Sequence, residues 1–110
     1  MSYRITTIPS FDKELKSLAK KHRSIKLDLA QLGIELSENP KTGVEIIENC
    51  FKIRMAISSK RKGKSGGARV ITYVYVQLET VYLLSIYDKS DEENISDKEI
   101  RDLIKSLGLE

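Results

Sequence analysis

The sequence predicts one α+β domain over residues 1–110, a small antiparallel sheet with a helical hairpin on one face, in the order βααβββα. Three observations carry this. Two stretches with apolar residues at helical spacing follow one another early in the chain. Three strand-like segments with brief links come next, beginning at Phe51. A last helical stripe then closes the chain.

YRITTI (residues 3–8) is rich in β-branched residues and suits a first strand. Pro9 ends it, Ser10 is placed to cap the following helix, and Asp12 and Glu14 lie near that helix's positive end. Phe11, Leu15, Leu18 and Ala19 form its apolar stripe. Ser24 opens a second helix on Ile25, Leu29, Leu32 and Leu36, and Asn39-Pro40 stops it. So short a turn predicts an antiparallel helical hairpin lying on a sheet. VEII (residues 44–47) is a short extended piece outside the main pattern. The clear strand is residues 51–57, where Phe51, Ile53, Met55 and Ile57 point one way and Lys52, Arg54, Ala56 and Ser58 the other. Residues 69–76 and 80–87 are apolar on both faces, as central strands covered on two sides would be, with Gln77-Leu78-Glu79 as a tight connection. Ser96 and Glu99 make a capping box, Ile95 and Ile100 its hydrophobic staple, and Gly108 ends the helix carried by Ile100, Leu103, Ile104 and Leu107. The place of the first strand in the sheet is left open.

Charge singles out the middle of the chain. Seven of the 19 basic residues and none of the 16 acidic ones lie between Phe51 and Leu78, so the rest of the chain is acidic in balance although the net charge is +3. Cations gathered on strands without counter-charges are costly unless an anion comes to them. A strand puts Lys52 and Arg54 on one side; Arg69 opens the next strand and can face them, and Tyr87 and Lys89 share a parity at the end of the third. The loop adds Lys60, Arg61, Lys62 and Lys64, with Gly63, Gly66 and Gly67 permitting close approach of backbone to a ligand. Alone, the loop cations are most simply a soluble edge. Lys52, Arg54 and Arg69 together read as a clamp for a phosphodiester.

Other features read as structural. His22 is a helix-end dipole partner or surface residue, and Cys50 a small packing residue. GKSGG lacks the pattern of a Walker loop. Asp91, Glu92, Glu93, Asp97 and Glu99 resemble a metal cluster in composition only and suit a helix start. One Cys and one His far apart exclude a disulfide and argue against zinc, so no metal and no cofactor is expected. The start MSYRITTIPS has no apolar signal region and no apolar run approaches a membrane span, which gives a cytoplasmic expectation without membrane association.

NPKTG, KIRMAISSKRKGKSGGARVITYVYV and VYLLSIYDKSDEENIS, followed by an amphipathic helix, resemble the RelE/HigB group of bacterial toxins of type II toxin–antitoxin modules, with the pattern KIR…GKGKxGGxRVIYY…YLLxxYxKN. The resemblance covers most of the chain from Asn39 onward. It implies a small sheet with a helical hairpin and, for RelE-like members, metal-independent cleavage of mRNA in the ribosomal A site leaving a cyclic phosphate. It also implies a cognate antitoxin as partner, the toxin alone being read as a monomer. The group's basic strand pair falls on Lys52 and Arg54, its arginine at the start of the next strand on Arg69, and its basic residue after the following strand on Lys89. For such cleavage Lys52 is the candidate base, Arg54 and Arg69 would hold the phosphorane, and Lys89 is the candidate acid. Lys60, Arg61, Lys62 and Lys64 become candidate RNA contacts. The chain departs from the group in two ways. Asp88, within the segment that matches YxKN, puts an acid inside the site, and no tyrosine follows Tyr87, leaving Tyr87 and Tyr73 as candidates to stack on a base. A related branch, ParE, poisons gyrase on the same fold, so a non-catalytic gyrase poison or an inactive antitoxin-binding module is the alternative.

Overall fold

The computed structural model describes residues 2–61, 63–91 and 94–109. Lys62, Glu92 and Glu93 lie outside the described residues. Eight elements follow in order: β1 (Arg4–Thr7), α1 (Pro9–Lys21), α2 (Ile25–Glu38), β2 (Val44–Ile47), β3 (Cys50–Met55), β4 (Ala68–Tyr75), β5 (Thr80–Asp88) and α3 (Asp97–Ser106). They build a five-stranded sheet in the order β1-β5-β4-β3-β2.

The meander β3-β4-β5 is antiparallel as expected, but two features of the sheet differ from the expectation. VEII forms a full edge strand, β2, paired antiparallel with β3. The sheet is mixed, because β1 runs parallel to β5, with Arg4 opposite Thr80 and Thr7 opposite Leu83. The hairpin α1–α2 carries the chain from one edge to the other, leaving β1 to pair with the last strand. Backbone bonds from Tyr3 to Ser37 and from Arg4 to Glu79, 2.8 and 2.9 Å, hold it there. The Ser10 cap is not formed either. Ile8 is the N-cap residue, without a side-chain cap bond, and Pro9 takes the first turn, where its missing N–H removes a donor that would otherwise need a partner.

Two apolar clusters sandwich the sheet. On one face Phe11, Leu18, Ile25, Leu32 and Leu36 of the hairpin meet Phe51, Ile53, Met55, Val70, Val74 and Leu83. On the other, Cys50, Ile71, Leu84 and Tyr87 meet Ile100, with Leu103, Ile104 and Leu107 packed around them. Each fully buried large side chain stabilises the fold by roughly 1.5–3 kcal/mol. Burial pushes the Cys50 thiol up to about 12, with Asp97 adding to the effect, so this cysteine packs and does not react at neutral pH. The Ser96–Glu99 capping box forms as expected and starts α3.

β5 changes face midway. Ile71 pairs with Ser85 but Thr72 with Leu83, so Leu84 is an extra residue, a β-bulge. Val81 and Leu83 lie on the hairpin face before the bulge and Ile86 after it, while Leu84 and Tyr87 lie under α3. Glu14 of α1 fills the irregularity, accepting hydrogen bonds from the Ser85 hydroxyl and the Ile86 N–H, both at 3.1 Å. Removing it strands two donors. Glu14→Ala should therefore cost about 1–3 kcal/mol, seen as a lower urea midpoint at unchanged slope, with Glu14→Gln losing less. A wild-type midpoint for Glu14→Ala would show that the bulge does not need it.

Candidate functional site

The strand register sets the site. Arg54 of β3 lies directly opposite Arg69 of β4, and Arg69 opposite Tyr87 of β5. Lys52 sits two residues along β3, roughly 7 Å away on the same face. Like charges placed directly opposite are unfavourable, and the two arginines escape this by different routes. Arg54 is exposed. Arg69 is 6% exposed and turns under the loop, donating to the carbonyls of Lys64 (3.0 Å), Ala68 (3.1 Å) and Ser65 (3.2 Å). This arginine therefore also holds the loop in shape, beyond its expected part in the clamp.

β2 pairs with β3 only up to Val44 opposite Lys52, so among the described residues the β3 edge beyond Lys52 has no strand neighbour. A groove of about 930 Å³ runs along it, and Lys52, Arg54, Lys64, Arg69 and Lys89 all line it. The structure thus brings together four expected strand and strand-end cations and one from the loop. The Lys52 ammonium donates to Asn94 Oδ1 at 2.7 Å. Among the described residues none of these five cations has a carboxylate partner; the ion pairs are Lys21–Asp91, His22–Asp88, Lys60–Asp88 and Lys98–Asp102. Gly67 lets the loop return close over β3: a Cβ there would collide with the Met55 carbonyl.

Other expected residues are placed elsewhere. Lys60 points away from the groove and donates to Asp88 (3.0 Å) and Ser90 (3.1 Å). Arg61 is exposed, in the left-handed region at φ 59°, and does not line the groove. Tyr73 is opposite Cys50, four residues along β4 from Arg69, and borders a hollow under α3 with Ile104 and Lys105. Tyr87 is beside Arg69 but 6% exposed and packed in the α3 cluster. Neither tyrosine offers a free ring face to the groove.

Asp88, expected inside the site, lies outside it. After the bulge it faces the hairpin rather than the cations, 5% exposed. It accepts from His22 Nε2 (2.8 Å), from Lys60 and from the Ser90 N–H (2.9 Å). His22 is accordingly neither a surface residue nor merely a dipole partner; it ties the end of α1 to the end of β5. Sixty-six residues separate the pair, and nothing local in the sequence announces it. Asp28 likewise has no local sequence signal for its role. From α2 it accepts the Ser58 N–H and hydroxyl at 2.9 and 2.6 Å, starting the single 3₁₀ turn Ser58–Lys60 that follows β3.

No protein-family model matches the sequence. Solved structures share its backbone. Free Escherichia coli toxin RelE with two arginine-to-alanine substitutions has TM-score 0.64 at 18% identity, over 97% of this chain and 99% of that one. The toxin–antitoxin complex RelBE2 of Mycobacterium tuberculosis gives 0.59 at 17%, covering 83% and 95%. The archaeal RelE–RelB complex of Pyrococcus horikoshii gives 0.51 at 21%, covering 81% and 97%. At these identities the likeness is one of fold.

Asp88 supplies a pH signature. Burial opposes its ionisation, but the Ser90, Lys60 and His22 hydrogen bonds and the Lys60 charge outweigh this and bring its pKa from 3.8 down to about 2. A depressed folded-state pKa stabilises above the unfolded value and is lost as pH falls through the folded one, here from about pH 4 toward 2. Asp88→Asn should cost about 2 kcal/mol at pH 7 and flatten the acid limb of the stability curve. An unchanged acid limb in urea titrations at several pH values would refute the tie.

Proposed function

We propose that this chain, built on the RelE fold, is the toxin of a type II toxin–antitoxin pair and a metal-independent endoribonuclease that cuts mRNA on the ribosome. The observation that carries this reading is the groove with five cations and, among the described residues, no carboxylate paired to any of them. Such a site has its charge satisfied when a phosphodiester enters.

RNA brings its own nucleophile, the 2′-OH. The protein must remove its proton, stabilise a dianionic phosphorane and protonate the leaving 5′ oxygen. Lys52, oriented by Asn94, is the base; Arg54, exposed and without a carboxylate partner among the described residues, holds the phosphorane; Lys89 is the acid. Arg69 adds charge from beneath while its donors keep the loop, and hence Lys64, in place. In this reading the cations themselves supply the charge stabilisation. The ribosome's part is to hold the 2′-OH in line with its phosphate, which a cationic face cannot do alone. Exposed Leu27 and Ile34 on the outer face of α2, 73% and 70% exposed, suit an antitoxin segment that folds on binding.

Lys52→Ala and Arg54→Ala should each slow cleavage on programmed ribosomes about 10²–10³-fold, with stability changed by no more than about 0.5 kcal/mol. Arg69→Ala should lose both activity and stability. Protein stripped with EDTA and then freed of chelator should cleave as fast as untreated protein on ribosomes kept in Mg²⁺, with no gain from added transition metal, and should yield 2′,3′-cyclic phosphate ends. No cleavage by the wild type, together with stalled gyrase supercoiling, would replace the nuclease by a gyrase poison. For the partner, the product of an adjacent gene should co-purify with the chain and relieve its toxicity; Leu27→Lys with Ile34→Lys should weaken that complex. A complex indifferent to both lysines would place the antitoxin elsewhere.

A further inference from the structure

The groove has a second wall that the proposed chemistry leaves unused. Asp28, Gln31 and Glu35 line it from the α2 side, across the open edge of β3 from Lys52 and Arg54. Asp28 is committed to the turn after β3, through Ser58 and Ser24. Gln31 and Glu35, one helical turn apart and exposed, have no side-chain hydrogen bond or ion pair among the described residues. The groove is therefore polarised: cations on one side, a carboxylate and an amide on the other.

A nucleotide is polarised in the same sense. Its phosphate belongs with the cations and would be repelled by Glu35. The base, displaced from the phosphate by the sugar, has room within about 930 Å³, near the upper end of the ~300–1,000 Å³ usual for ligand pockets. Single-stranded RNA exposes the Watson–Crick edges of its bases for reading. Adenine, cytosine and guanine present an amino group there, a donor matched to a carboxylate acceptor. Uracil presents one N–H between two carbonyl oxygens, and those oxygens repel a carboxylate. Gln31, with a donor and an acceptor, can serve the group beside the amino group.

We infer that Glu35, assisted by Gln31, is a specificity residue of this groove, selecting RNA that places an amino-bearing base rather than uracil against α2. The inference rests on the nuclease reading for its ligand, but it concerns base choice and not cleavage.

The test uses fluorescence anisotropy with short 2′-O-methyl homopolymers of A, C and U, which cannot be cut. Wild-type protein should bind A and C about tenfold more tightly than U. Glu35→Ala should bring the three toward parity, and Glu35→Gln, which keeps a carbonyl acceptor, should retain part of the preference. Stacking differences between the homopolymers are common to all variants, so the change in ratio on substitution is the readout. If Glu35→Ala tightens all three equally at an unchanged ratio, Glu35 is only a repelling charge and the inference fails. A wild type with no preference overturns it too, while ribosomal cleavage stays intact and the nuclease reading stands. Failure of the wild type to bind any RNA, with no ribosomal cleavage, removes both.

Discussion

One extra residue in β5, Leu84, decides which charges meet on the sheet. Side chains alternate along a strand, so a single insertion exchanges the faces of everything beyond it. With the bulge, Tyr87 shares the α3 face with Arg69, Lys89 lines the groove, and Asp88 turns to the helical hairpin. An unbroken alternation would send Lys89 toward the hairpin and set Asp88 against Arg54 and Arg69. The carboxylate would then neutralise the site from within. Glu14 holds the bulge through Ser85 and Ile86, so a residue on the first helix governs the electrostatics of the opposite face.

The concentration of positive charge is tolerated because each cation has a separate accommodation. Arg69 spends its donors on loop carbonyls, Arg54 and Lys89 reach solvent, and Lys52 rests on a neutral amide. Lys60 leaves the cluster altogether to join His22 around Asp88. The same contacts stiffen the frame. The end of α1, the turn after β3 and the end of β5 converge on one carboxylate, and Asp28 fastens the turn to α2. These ties frame a groove whose five cations have, among the described residues, no carboxylate partner.

What could be read from the sequence was local. The 51–57 alternation, the helical stripes and the Ser96–Glu99 box are short-range patterns, and the structure carries all of them. Of the local cation run, Lys52, Arg54, Lys64 and Arg69 line the groove, whereas Lys60 and Arg61 do not. Distant pairings were not legible. β1 lies against a strand more than seventy residues later, a relation with no local signature. The bulge at Leu84 sits in an apolar run where both faces are buried, so hydrophobic pattern could not reveal the change of parity. Asp88 and Lys60 were misplaced for that reason. Tyr73 was misplaced because an aromatic on a central strand is covered by whichever helix crosses it, and α3 covers this end of β4.

The open edge of β3 bears on how copies of the chain behave toward each other. Unpaired N–H and C=O groups along a strand invite a second strand, and two identical chains can add edge to edge. In an antiparallel addition centred on Arg54, that residue would meet its own copy, with Lys52 and its copy close by. The cations assigned to RNA thus also act as a guard against self-pairing, effective at low salt and screened as ionic strength rises. Neutralising Arg54 removes this guard, so an alanine variant at this position has an edge more open to another copy than the native chain has.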